Sequence, residues 1–407
     1  MKSFKNSLII AYLIICVALL PGCAGKNITG NTYIEGQDFQ YMYFTQGRVP
    51  MMAESESGYY FFSGFYLYYA DKKTMKPVIL CNKPNCLHDA ETDPQKVYNC
   101  NAFFRMVSPF LAYYDGSLYV TSTIFGKGRE DYELVKLSQD GTSRKSVLTF
   151  DSQPGSLAIH RGKVYYVQNV YDKSLQSYYK ISEFDLKKFG AKPRDIYAGK
   201  LEGGHIQDLK CYGDSLYFTE YAHTEKMITT RAMRYDIITG KTARLFTDND
   251  MEIVLDPEIY DNKLYYTMEI LEDGVVKEGD TFVSDLKGEN SRKSFSIDKD
   301  SIILADRKYL YANDNRFSLD AKPRDQQALR ILDRDGKSVG SIKTGHIDKH
   351  FSVICGGDSH LFITTYTEDK FQIFYADKSE FGTGEIELKP FFEIEQEHAR
   401  PGIEIIH

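Results

Sequence analysis

The 407-residue chain contains no tryptophan, and its one long apolar run, Ser7 to Leu20, is confined to the N-terminus. Beyond that run no segment sustains a 3.6-residue apolar period, so almost no helix is expected in the rest of the chain. Basic charge is also short: 50 Lys and Arg face 57 Asp and Glu, for a net charge of −7. That balance argues against nucleic acid as a partner, because phosphates ask for clustered Lys and Arg. Catalytic signatures are missing too. There is no Gly-x-Ser-x-Gly nucleophile elbow, no His-Glu-x-x-His and no phosphate-cradling Gly-x-x-x-x-Gly-Lys. The Cys-x-x-Cys-His spacing of a c-type haem is absent as well. On these absences the chain is expected not to be an enzyme.

What is present is aromatic and repetitive. Tyr occurs 31 times and Phe 25 times, and 42% of residues are apolar. Tyr suits strands with one buried face. Seven copies of one short phrase, a turn followed by an apolar-aromatic strand, run along the chain: Gly58-Tyr-Tyr-Phe-Phe62, Gly116-Ser-Leu-Tyr-Val120, Gly162-Lys-Val-Tyr-Tyr166, Gly213-Asp-Ser-Leu-Tyr-Phe218, Asn262-Lys-Leu-Tyr-Tyr266, Lys308-Tyr-Leu-Tyr311 and Gly357-Asp-Ser-His-Leu-Phe362. One marker from each (Tyr60, Leu118, Val164, Leu216, Leu264, Leu310, Leu361) recurs at intervals of 46 to 58 residues. A four-stranded propeller blade takes ~40–50 residues, so the period predicts an all-β chain folded as a single β-propeller of about seven four-stranded blades over 33–398. A six- or eight-bladed ring, or a pair of β-sandwiches, is the competing architecture. Asp140-Gly141, Thr239-Gly240, Lys287-Gly288 and Asp335-Gly336 read as tight turns between third and fourth strands, glycine supplying the positive φ. Asp333-Arg-Asp335-Gly336 has a faint calcium-loop look, but later ligands are lacking and a hairpin explains it. Phe39-Gln-Tyr-Met-Tyr-Phe44 has strand character and is expected to complete the last blade as a clasp. The alternative clasp is the tail, Glu385 to Leu388 or Phe391 to Ile394.

The N-terminus reads as an export signal. Lys2 and Lys5 precede the apolar run, and Leu20-Pro-Gly-Cys23 follows it. The Leu-x-Gly-Cys ending resembles the lipobox of bacterial lipoproteins, which implies a signal peptide over 1–22, a diacylglycerol on the Cys23 thiol, and a small, polar tether over 23–32. The alternative is an uncleaved anchor helix, for which the run is short of the ~20 residues of a full span. The expected location is the extracytoplasmic face of a cell membrane, held by the N-terminal lipid.

The first interval is stretched by an insertion over 81–103, Leu80-Cys81-Asn-Lys-Pro-Asn-Cys86-Leu-His88 followed by Cys100-Asn-Ala-Phe103. Three cysteines and one histidine are a common ligand set for tetrahedral zinc, in a structural role because no position stays open for water. An exported protein can equally hold a disulfide, which here leaves one thiol over. Both readings stand at this point. The insertion resembles a segment of poorly characterised surface lipoproteins of Gram-positive gut anaerobes. That resemblance implies a propeller-like domain at the cell surface rather than an activity. Cys211 and Cys355 occupy equivalent places three units apart, too far to bridge, and read as buried packing residues.

Polar residues leading into the presumed inner strands could line a channel mouth: His205, Gln207, Asp208, Glu252, Asp256 and His350. Most aromatics fall at packing positions, leaving Tyr171, Tyr221 and Phe317 as loop candidates for exposed platforms. The expected function is a binding or scaffold module, monomeric, with a protein or glycan ligand. The alternative is an extracellular enzyme on glycans or peptides, using carboxylates at the channel.

Overall fold

The computed structural model describes residues 29–39 and 51–395, apart from 89–93, 106–109, 127–128, 172–176, 189, 200–203, 224–227, 247–251, 273–274, 277–279, 297–301, 314–327, 345–350, 368 and 383. Seven antiparallel sheets follow one another along the chain and form the blades of a ring. Blade 1 comprises Met52–Glu54, Gly58–Ser63, Tyr66–Asp71 and Pro77–Ile79. Blade 2 comprises Leu111–Tyr114, Ser117–Gly126, Arg129–Leu137 and Arg144–Phe150. Blade 3 comprises Leu157–His160, Lys163–Tyr171, Ser177–Asp185 and Arg194–Ala198. Blade 4 comprises His205–Tyr212, Ser215–His223, Ile228–Asp236 and Thr242–Arg244. Blade 5 comprises Glu252–Tyr260, Lys263–Glu272, Asp280–Asp285 and Arg292–Ser296, with Val275–Val276 as an added short strand. Blade 6 comprises Ile302–Ala305, Leu310–Asn313, Ala328–Leu332 and Ser338–Lys343. Blade 7 comprises Phe351–Gly356, His360–Tyr366, Lys370–Asp377 and Lys389–Glu395. First strands touch first strands between blades 1 and 2, 3 and 4, 5 and 6, and 7 and 1, so they form the inner wall.

The recurring phrase is the second strand of each blade, and its apolar markers are core. Leu118, Val164, Leu216, Leu264, Leu310 and Leu361 are fully buried, and Tyr60 nearly so. The tyrosines do more than fill space. Tyr60 donates its hydroxyl to Gln139 O (3.1 Å), Tyr217 to Leu286 O (2.9 Å) and Tyr265 to Arg334 O (3.1 Å), each reaching a turn of the next blade. Tyr212 and Tyr260 repeat the device on the inner strands, donating to Asn262 Oδ1 (2.9 Å) and to Lys308 O. A ring that buries its face and still makes a bond at its tip is what Tyr offers, and it accounts for the Tyr-rich composition.

The turns between third and fourth strands carry the expected glycines. Gly336 has φ +78°, and a Cβ there would meet the Phe295 ring at 2.4 Å. Asp333 Oδ1 accepts from the N–H groups of Asp335 (3.0 Å) and Lys337 (2.9 Å). That carboxylate is therefore spent on the hairpin, as the turn reading holds. Among the described residues helix is limited to Pro94–Val97, a 3₁₀ turn, Lys378–Glu380, and the 3₁₀ residue His88.

The clasp expected from Phe39–Phe44 is corrected in favour of the alternative, the tail Phe391 to Ile394. The fourth strand of blade 7 is Lys389–Glu395, paired antiparallel with Lys370–Asp377 from its own unit. Gly384–Ile386 adds a fifth, parallel strand to blade 6. Phe39 instead packs in the core of blades 3 and 4, and residues 40–44 lie outside the described residues. Blades 7 and 1 therefore join by side chains. Tyr59 meets Phe362 (4.7 Å between centroids), Phe61 meets Phe391 (5.3 Å) and Phe392 (5.2 Å), and Tyr68 meets Phe392 (4.7 Å). Tilted and edge-to-face pairs at these distances are favourable contacts beyond their buried area.

No helix among the described residues is long and apolar enough to cross a membrane. Ser7 to Leu20 and Cys23 lie outside them.

Candidate metal centre

The insertion folds back on blade 1. Leu80 N–H bonds Leu67 O (2.9 Å), which ends the fourth strand and delivers Cys81. Lys83 to Cys86 form a turn closed by Cys86 N–H to Lys83 O (3.4 Å). Pro84 sits at its second position and Asn85 at its third, with φ +60°, the arrangement of a type II turn. His88 also has positive φ (54°), and Tyr66 donates to its carbonyl (2.8 Å). The helical turn Pro94–Val97 returns the chain, with Cys100 N–H on Val97 O (3.0 Å). Beyond it, Leu67 N–H bonds Ala102 O (2.9 Å) and Phe104 N–H bonds Phe65 O (2.8 Å). Lys83 Nζ donates to Asn99 O, and Asn101 to Asn82 Oδ1 (3.3 Å), holding the two arms together. On the blade 2 side, Arg144 lies over the Phe104 ring (4.2 Å) and donates to Phe103 O (3.4 Å). The insertion thus bridges blades 1 and 2.

The result is a cluster. The ligand atoms of Cys81, Cys86, His88 and Cys100 all lie within 4.8 Å of one another. Cys100 Sγ is 3.7 Å from His88 Nδ1. Tetrahedral zinc with Zn–S bonds of ~2.3 Å has ligand–ligand edges near ~3.8 Å, so a modest contraction seats the ion. Cys100 is buried and the other three are half-buried. The four described thiols, Cys81, Cys86, Cys100 and Cys211, are free. A disulfide would use two of the cluster's three thiols and leave the third crowded against the imidazole. Burial, with the neighbouring Cys81 and Cys86 thiols, pushes Cys100 up to about 12. Burial also acts on Cys81, but the N–H groups of Lys83 and Asn101 and the thiols of Cys100 and Cys86 outweigh it and hold that thiol below the ordinary range. The donor set of three soft thiolates and one imidazole suits zinc.

The channel-mouth residues fare differently. His205 Nε2 lies 3.2 Å from Gln207 Oε1, and its ring packs on Tyr221 (4.9 Å) and Tyr179 (6.1 Å), between blades 4 and 3. Asp208 has φ +58° at a bulge where the register with the second strand shifts. Glu252 and Asp256 fall in the first strand of blade 5, with side chains outside the described residues, as is the whole of His350. Within this set the structure brings His205 and Gln207 into contact. Cys211 is buried, as expected; the Cys355 side chain is outside the described residues. Tyr171 is 68% exposed. Two polar clusters escaped sequence reasoning: Asp38 with His160 and Arg161, and Asp306 with Tyr311 and Lys378.

The chain matches no protein-family profile and no curated protein. Solved structures do resemble it. An oligogalacturonate lyase in complex with manganese matches with a TM-score of 0.52 at 13% identity, over 84% of this chain and 90% of that one. Prolyl oligopeptidase B from Galerina marginata matches with a TM-score of 0.51 at 11% identity, over 87% of this chain and 51% of that one. An acylaminoacyl peptidase matches with a TM-score of 0.50 at 9% identity, over 87% of this chain and 52% of that one. The chain thus spans about half the length of each peptidase. At these identities the likeness shows the fold, a β-propeller. The expectation that the chain is not an enzyme is corrected by the same finding. Enzymes carry this architecture, so the fold, together with the missing motifs, gives no ground for excluding catalysis.

Proposed function

We propose that the chain is a zinc-stapled β-propeller lipoprotein of a bacterial cell surface, anchored through Cys23, whose ring presents a binding surface to a protein or glycan. The observation that carries the reading is the convergence of Cys81, Cys86, His88 and Cys100 within 4.8 Å. Four protein donors leave no coordination position for water, so the ion supplies cross-linking rather than chemistry. The chain's own residues do the rest: Tyr66 fixes the His88 backbone, the Pro84 turn sets the Cys86 approach, and Arg144 ties the loop to blade 2. The metal reading is tested by elemental analysis of the purified protein and of a Cys86→Ser variant. The anchor is tested by lipid labelling, which should vanish in Cys23→Ala; retained label refutes lipidation there.

A second reading is an extracellular enzyme acting on glycans or peptides. It is favoured by the match to an oligogalacturonate lyase across most of both chains. Incubation with polygalacturonate and with peptide libraries tests it, and product formation that survives loss of the metal cluster would separate the activity from the staple.

A further inference from the structure

Residues 31–39 do not hang from the ring; they lie on it. Asp115 N–H donates to Gly36 O (3.0 Å) and Arg161 N–H to Gln37 O (2.7 Å). Phe39 N–H donates to His160 Nδ1 (3.0 Å), while His160 Nε2 bonds Gly213 O (2.8 Å). The imidazole is thus neutral, with its proton on Nε2. Asp38, 4% exposed, accepts from Arg161 through Nε (2.7 Å) and a terminal nitrogen (3.2 Å). The same guanidinium reaches Asp214 (2.9 Å) and Thr32 O (3.2 Å). At the other end the Tyr33 ring lies under the Arg307 guanidinium (4.6 Å).

Asp115, Arg161, Gly213, Asp214 and Arg307 all belong to turns between first and second strands, in blades 2, 3, 4 and 6. Those turns end the inner wall on one face. Blades 3 and 6 are three apart, the largest separation a ring of seven allows. A segment held by both lies over the axis. Asn31, Thr32 and Tyr33 leave one cleft, of about 610 Å³, against Tyr212, Asn262 and Arg307. Phe39 packs with Ala158, Leu209 and Cys211 on the inner strands beneath.

We propose that residues 31–39 are a closing strap, locked by Arg161, whose docking controls access to the interior of the ring from this face. It goes beyond the metal and anchor readings and depends on neither. Cys211 is a built-in reporter, buried under the strap beside Phe39. Its thiol is held well above the ordinary range by burial first, and then by the negative charge of Asp38.

The test is a pulse of N-ethylmaleimide on the full chain, with peptide mapping by mass spectrometry to read Cys211 alone. In the parent, Cys211 should label no faster than the chain unfolds globally. Asp38→Asn, which keeps the side chain's shape, and Arg161→Ala should each speed labelling by about tenfold or more, because local opening falls to a lower free energy. Circular dichroism and the denaturation midpoint must show both variants folded. If Arg161→Ala does not fold, Asp38→Asn carries the test. Fast labelling in the parent, unchanged labelling in the variants, or a rise that only follows the loss of global stability overturns the proposal.

Discussion

Replacing Lys378 by Met should cost about 3–5 kcal/mol of folding stability, the range for breaking a buried ion pair from one side. Lys378 starts the 3₁₀ turn after the third strand of blade 7, and its Nζ bonds the Asp306 carboxylate of blade 6 and Gly357 O (2.5 Å). The two side chains are 3% and 1% exposed. Asp306 also accepts from Lys308 N–H (2.6 Å), Tyr309 N–H (2.7 Å) and the Tyr311 hydroxyl. Without the ammonium, a carboxylate stays buried with three donors and no countercharge, and blade 6 loses its tie to the turn of blade 7. The double variant Asp306→Asn/Lys378→Met removes both charges while the amide oxygen still serves the turn, and should recover at least half of the loss. Urea denaturation of the parent, the single variant and the double variant reads all three values. A single-variant loss under about 1 kcal/mol, the worth of an exposed pair, refutes the reasoning, as does a double variant no more stable than the single.

Phe61→Ala should cost about 3–5 kcal/mol in the same assay, because Phe61 is 1% exposed and joins blade 1 to Phe391 and Phe392 of blade 7. Hydrogen exchange should then show 389–395 losing protection first; uniform loss would contradict closure by these rings. Acid should weaken the parent through His160. Burial first of all lowers its pKa, with the Arg161 guanidinium acting the same way, against the bond to Gly213 O and the carboxylates of Asp38 and Asp214. The folded imidazole therefore stays neutral while the unfolded one takes up a proton. The stability is complete above the ordinary value of 6.5 and declines as pH falls below it. His160→Gln should flatten that slope between neutral pH and about pH 5, and equal slopes in parent and variant would refute the assignment.

The blades were legible because a repeat writes the same burial problem seven times. Each marker from Tyr60 to Leu361 is in the core, where period alone placed it. Closure was legible only as a choice between Phe39 to Phe44 and the tail, and Phe391 to Ile394 of the tail is what forms the strand. Phe39 to Phe44 has strand character, but strand character does not name a partner, and Lys389–Glu395 was nearer blade 7 in sequence. The metal cluster was legible as residue types. Its geometry was not, because a spacer of eleven residues says nothing of the helical turn Pro94–Val97 that brings Cys100 back. The strap and the Lys378 tie were hidden for a plainer reason. Their partners, Asp38 with Arg161 and Asp306 with Lys378, are 123 and 72 residues apart. No local pattern marks such a pair.

The central claim rests on Cys81, Cys86, His88 and Cys100 acting together. Elemental analysis of the full chain, purified without added metal or chelator, tests it most directly. One zinc per chain, lost in both Cys86→Ser and Cys100→Ser, is the predicted result. A metal-free chain with two of the three thiols joined in a disulfide on non-reducing peptide mapping would contradict it.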